Sequence, residues 1–149
     1  MAIAERQAET IWEGGGLAKG SGHVISGSGA LGELPVTWSS RTERSEGQTS
    51  PEELIAAAHS SCFSMALSHE LDQAGTPPER LHVRANVTLD RVEDVPTVVS
   101  SALEVSGRVP GIDAAGFEAA AQSAGKNCPI SRLLLGGSAE ITVTAALEE

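Results

Sequence analysis

Apolar and polar positions alternate with period two over several stretches of the chain. Leu81, Val83, Ala85, Val87 and Leu89 interleave with His82, Arg84, Asn86, Thr88 and Asp90, which predicts a strand with one wet face. Residues 99–109 read the same way, with Leu103, Val105 and Val109 on one face, and Ala139, Ile141, Val143, Ala145 and Leu147 form a last alternating strand. The first third has a different rhythm. Glycines at positions 14–16, 20, 22, 27, 29 and 32 punctuate strand-like pieces at 8–12, 22–26 and 34–39, as hairpin turns do in an antiparallel meander. No Gly-Lys-Ser/Thr follows them and no strand–turn–helix surrounds them, so they are turns rather than a phosphate loop.

Between these strands lie three helical stretches. Ser50-Pro51-Glu52-Glu53 is a helix start: Ser50 accepts from exposed N–H groups, Pro51 suits the first helical position and Glu53 closes a capping box. Residues 54–74 then run without glycine or proline as far as Gly75. A second helix is expected over 114–126, after the Pro110-Gly111-Ile112 turn and with Asp113 as its cap. A third begins at Cys128-Pro129, reaches about Leu135 and ends at Gly136-Gly137. The predicted order is βββ–α–ββ–αα–β. Because strands are joined mostly by short turns, this is an α+β fold with an antiparallel sheet and helices on one face. No linker, charge block or repeat divides it, so residues 1–149 are expected to form a single domain.

The chain has 20 acidic residues against 10 Lys plus Arg, a net charge of −10, which argues against a nucleic-acid backbone or an anionic membrane surface as the main partner. With 40% apolar and 20% charged residues it is ordinary globular material. No apolar run approaches the roughly 18 residues that span a bilayer. No apolar segment follows Arg6, so a cytoplasmic protein without a secretory signal is expected. Its two cysteines are too few for a disulfide scaffold, and they call for a chemical explanation.

Cys62 lies in the middle of the long helix. Glu52, Ile55, His59, Cys62 and Ala66 recur at helical spacing and share an arc of about 80°. A buried free cysteine packs as a small hydrophobe, and burial alone raises its pKa and leaves it inert. The helix dipole fades within the first turn, so a reactive Cys62 needs a cation from elsewhere. Arg41 and Arg44, in the polar loop 39–50, are nearest in sequence, and Glu52 can hold such an arginine by a bidentate pair. Their bland readings are solvated loop charges and a carboxylate complementing the helix dipole. His59 reads as a core histidine satisfied by a backbone carbonyl ahead of a general base. The histidines 23, 59, 69 and 82 and the two cysteines show no metal-ligand spacing. Cys128 precedes Pro129 and is placed to cap the third helix, where backbone N–H groups favour a thiolate. Local electrostatics therefore leaves open which cysteine attacks.

The run Pro51-Glu52-Glu53-Leu54-Ile55-Ala56-Ala57-Ala58-His59-Ser60-Ser61-Cys62-Phe63-Ser64-Met65-Ala66-Leu67-Ser68 resembles the first-cysteine helix of the OsmC/Ohr family of organic hydroperoxide reductases. Val109-Pro110-Gly111-Ile112-Asp113 and Asn127-Cys128-Pro129-Ile130-Ser131 resemble its second-cysteine region, and the likeness runs from Trp12-Glu13-Gly14 to the last strand, on the OsmC side of the family. That resemblance implies an OsmC-like fold in an intertwined homodimer with active sites at the subunit interface, and a thiol peroxidase without cofactor or metal. By position Cys62 would be the peroxidatic sulfur, Cys128 the resolving one, and Glu52 the carboxylate holding the activating arginine. Arg41 fits that arginine better than Arg44, and in the family it can come from the other subunit. The implied reductant is a dithiol, a lipoyl protein or a thioredoxin-like one. Two other functions suit the residues: a redox-sensing or apolar-ligand-binding module without turnover, and a structural Cys62–Cys128 disulfide.

Overall fold

The computed structural model describes residues 1–136 and 140–147; Gly137 and Ala139, in the expected helix stop and last strand, lie outside the described residues. The elements run β1 (Ala8–Glu13), α1 (Gly16–Lys19), β2 (Ser21–Ser26), β3 (Glu33–Thr37), α2 (Trp38–Thr42), α3 (Pro51–Gln73), β4 (Arg80–Val92), β5 (Val95–Arg108), α4 (Ala114–Asn127), α5 (Pro129–Leu135) and β6 (Glu140–Leu147). This is the expected α+β order with two short helices added. The chain divides into two compact units, Met1–Leu54 and Ile55–Glu149.

In the first unit β1, β2 and β3 form an antiparallel sheet in that order, with Trp12 opposite Gly22. A Cβ at Gly22 would meet the Trp12 ring at 2.8 Å, so the indole lies where only glycine leaves room. Helix α2 occupies the start of what reads as a polar loop. Thr37 Oγ1 accepts from the Ser40 N–H (3.1 Å) and Ser40 Oγ accepts from the Thr37 N–H (3.0 Å), a reciprocal cap strong enough to nucleate five helical residues. The Ser40 hydroxyl also reaches the Thr49 carbonyl (3.0 Å), which ties α2 to the segment entering α3.

Helix α3 begins and ends as its sequence dictates, with one substitution of partners. Ser50 Oγ accepts from the Glu53 N–H (3.1 Å), but the Glu53 carboxylate takes the Thr49 hydroxyl (2.7 Å) instead of closing the box onto Ser50. At the other end Gly75 adopts φ +79 and the Thr76 N–H reaches the Leu71 carbonyl (2.9 Å), a Schellman stop that a Cβ would strain.

The second unit contains a sheet of order β4-β5-β6. Strands β4 and β5 make a hairpin longer than the alternation suggests. It closes through Glu93 and Asp94 at φ 50 and 62, the two positive-φ positions of a type I′ turn. Strand β6 pairs with β5 in parallel, so the expected antiparallel pairing holds for β1–β2, β2–β3 and β4–β5 and is corrected at this last strand. The physical reason lies in the connection: α4 and α5 carry the chain back to the starting end of β5, and a crossover of that length delivers a parallel strand. Phe63, Leu67 and Leu71 of α3, Leu103 and Val105 of β5, and Phe117, Ala121 and Ala124 of α4 form the core, together with the fully buried Cys128.

Candidate functional site

The sulfur pair belongs to the second unit. Cys62, in mid-α3, is half-buried, Cys128 is fully buried, and both are free thiols. Cys128 is at once the end of α4 and the start of α5: its N–H bonds the Ala124 carbonyl (2.8 Å) and its carbonyl accepts from the Arg132 N–H (2.9 Å). Pro129 fits the first position of α5 because no N–H is needed there. The Cys128 side chain, however, makes no capping bond. The backbone N–H that acts on a sulfur here is that of Ile130, and it lowers the pKa of Cys62.

The Cys128 thiol is a near enough neighbour of Cys62 to act on its pKa. Two residues 66 positions apart in sequence are thereby brought side by side. Burial pushes the Cys62 thiol up from its ordinary value, the Ile130 N–H pulls it down, and the neighbouring Cys128 raises it further. Left to these groups Cys62 stays protonated at neutral pH. Its use as a nucleophile therefore calls for a cation.

One turn before Cys62, His59 is fully buried. Its Nδ1 lies 2.6 Å from Ser101 Oγ on β5 and its Nε2 lies 2.8 Å from Ser131 Oγ on α5. The expectation of a core histidine holds, but two hydroxyls rather than a backbone carbonyl satisfy it. Burial lowers its pKa, so the ring is neutral at physiological pH, one nitrogen donating and the other accepting. Neither serine figures among the sequence candidates. Ser101 carried a signal: it falls on the inward parity of β5 with Leu103 and Val105, where a polar residue demands a buried partner.

The arginine–carboxylate pair belongs to the first unit. Arg41 Nε lies 2.9 and 3.1 Å from Glu52 Oε1 and Oε2, and its Nη2 lies 2.7 Å from Oε1. The guanidinium carbon sits 5.7 Å from the centroid of Trp38, close enough for a cation–π contact. The α2 cap sets this geometry, and α3 supplies Glu52 in its first turn. Arg44 is exposed and pairs with no acidic side chain among the described residues. Beside Arg41 opens a cavity of about 310 Å³ lined by Trp12, Leu17, Val24, Val36, Trp38 and Leu54 among others. Among the described residues no group of three or more His, Cys, Asp or Glu could hold a metal ion.

Comparison with known proteins gives a consistent result. The family model described as OsmC-like protein matches residues 44–144. Peroxiredoxin OsmC of Escherichia coli (strain K12) is 41% identical over 143 residues, covering 96% of both chains. Among solved structures, an organic hydroperoxide resistance protein from Elizabethkingia anophelis superposes with a TM-score of 0.78 at 24% identity, over 99% of each chain. The organic hydroperoxide resistance protein OsmC from Legionella pneumophila gives a TM-score of 0.76 at 24% identity, over 98% of this chain and 99% of that one. At these identities the two structures speak to the fold alone.

Proposed function

The chain belongs to the OsmC family, and on that footing we propose that it is a cysteine peroxidase that reduces organic hydroperoxides through Cys62 and Cys128. The observation that carries this reading is the adjacency of two free thiols, one half-exposed and one buried, in a protein related to a peroxiredoxin. The Cys62 thiolate attacks the terminal oxygen of ROOH. The O–O bond breaks, the alkoxide leaves and is protonated to the alcohol, and Cys62 becomes a sulfenic acid. Cys128 then condenses with it, water leaves, and a disulfide remains. A dithiol donor, a lipoyl protein or a thioredoxin-like one, reduces that disulfide and is itself oxidised. Arg41, oriented by Glu52, is the cation that lowers the Cys62 pKa and stabilises charge on the departing oxygen. The apolar cavity beside Arg41 supports an alkyl or aryl substituent on the substrate, since hydrogen peroxide gains little from such walls.

The two compact units act as one OsmC-like domain spanning 1–149, in a cytoplasmic, intertwined homodimer whose active sites lie at the subunit interface. Support for the dimer comes from α3, where the small residues Ala57, Ala58 and Ser61 and the large apolar Met65 are all exposed, and from β1, exposed along its whole length. No helix of the described residues is long and apolar enough to cross a membrane. The test is turnover of cumene hydroperoxide with a dithiol donor. Cys62→Ser abolishes it; a Cys62→Ser variant with full activity would sink the proposal. Sedimentation at micromolar concentration should return twice the chain mass, and a monomer would remove the shared-site part.

A further inference from the structure

The peroxide cycle needs more than two sulfurs in one neighbourhood. After the first step the Cys128 sulfur must approach the Cys62 sulfur along one line, and condensation competes with a second peroxide molecule that would over-oxidise the sulfenic acid. The position of Cys128 is set by the junction of α4 and α5, and that junction is itself held. His59 stands three residues before Cys62 on α3, and Ser131 stands three residues after Cys128 on α5. The 2.8 Å bond between them therefore links the two cysteine-bearing turns directly, one turn from each sulfur. The other ring nitrogen is anchored 2.6 Å from Ser101 on the central strand of the sheet. All three side chains are fully buried, so no water competes for these bonds. On the other side of Cys128, Asn127 Nδ2 donates to Glu70 Oε1 (2.9 Å), with Ser123 Oγ donating to the same oxygen (3.1 Å).

We propose that His59, through Ser131, is a positioning residue for the resolving step: it holds Cys128 at the attack distance from the Cys62 sulfenic acid and so sets the rate of disulfide closure. This rests on the assignment of Cys62 and Cys128 as peroxidatic and resolving sulfurs. In the step it governs, the Cys128 sulfur forms the S–S bond, the Cys62 S–O bond breaks, and the departing hydroxide takes the thiol proton to leave as water. No outside oxidant or reductant enters. The link is a single bond from a ring that Ser101 already anchors, so losing it frees α5 without removing the thiol or the cation that serve peroxide attack.

The experiment follows the two steps separately. Reduced protein is mixed with an equimolar amount of cumene hydroperoxide; sulfenic acid is captured at intervals with a 1,3-dione, and the Cys62–Cys128 disulfide is followed by mass. Ser131→Ala should slow closure relative to peroxide attack by about tenfold or more, the scale of a misplaced reacting group. It should also yield sulfinic acid at lower peroxide, while Ser131→Thr, which keeps the hydroxyl, restores closure. Ser101→Ala loses a buried bond of the same kind but not the link to α5, so it should slow closure less. Should Ser131→Ala not fold, the contrast lies in His59 itself. The Asn amide reaches only as far as Nδ1 and the Gln amide as far as Nε2, so His59→Gln should close faster than His59→Asn. Equal slowing by both serine variants, equal slowing of both steps, or wild-type closure in Ser131→Ala would each overturn the proposal. Wild-type protein that forms no Cys62–Cys128 disulfide at all would instead overturn the sulfur assignment beneath it.

Discussion

Removing Arg41 should cost more stability than removing the carboxylate that holds it. Three contacts of 3.1 Å or less join the pair, and their side chains are unequally sheltered: 27% of Arg41 is exposed against 10% of Glu52. Exposed ion pairs contribute about 0.2–1 kcal/mol, whereas stripping one partner from a buried pair costs about 3–5 kcal/mol because the survivor is left unpaired. Arg41→Ala strands the better-buried member and also removes the stack on Trp38, which places it near the upper regime at about 2–4 kcal/mol. Glu52→Ala leaves a guanidinium that can turn to water and keep its aromatic face, for a loss of about 1–2 kcal/mol. A double-mutant cycle should return a coupling of about 1–2 kcal/mol. The assay is urea unfolding at pH 7 and one protein concentration, with m-values checked for constancy so that midpoints report stability. If Glu52→Ala proved as costly as Arg41→Ala, or the coupling fell below about 0.3 kcal/mol, the additivity limit of such cycles, the argument from unequal burial would fail.

Three further outcomes are expected. Arg41→Ala should move the pH midpoint of Cys62 alkylation upward and Arg44→Ala should leave it in place; the reverse pattern would transfer the activating role to Arg44. Cys128→Ala removes a neighbour that raises the Cys62 pKa, so Cys62 alkylation should shift to lower pH, and an upward shift would contradict the coupling between the sulfurs. Burial lowers the His59 pKa below its unfolded value of about 6.5, so between the two values the unfolded chain binds the extra proton. Stability from this group is thus complete above about pH 6.5 and declines below it, by up to about 1.4 kcal/mol per pH unit until the folded pKa is reached. His59→Gln should flatten that part of the acid limb in thermal denaturation, and an unchanged slope would refute the assignment.

What the sequence disclosed and what it withheld divide along the range of the forces involved. Helix α3 was legible because its caps are local: Ser50, Pro51 and Gly75 act on backbone groups within a few residues. The strands were legible because period-two alternation encodes burial directly. The parallel pairing of β6 was not, since strand direction is set by a crossover and not by any residue in the strand. Helix α2 was hidden because a five-residue helix capped by a serine in the place of a glutamate looks like any polar loop. The site shows the same division more sharply. Spacing put His59 and Cys62 on one helix face, and a bidentate arginine on Glu52 was a stereochemical expectation that Arg41 meets. The hydroxyls that satisfy His59 lie 42 and 72 residues away, where no local rule reaches. The same holds for the sulfurs. The start of α5 was expected to serve its own Cys128, but that side chain makes no capping bond and the N–H of Ile130 acts on Cys62. The electrostatics that left the nucleophile undecided does not name it once the fold is formed either: burial and the neighbouring Cys128 raise the Cys62 thiol by more than the Ile130 N–H lowers it, so only a cation from outside the pair would make it a thiolate.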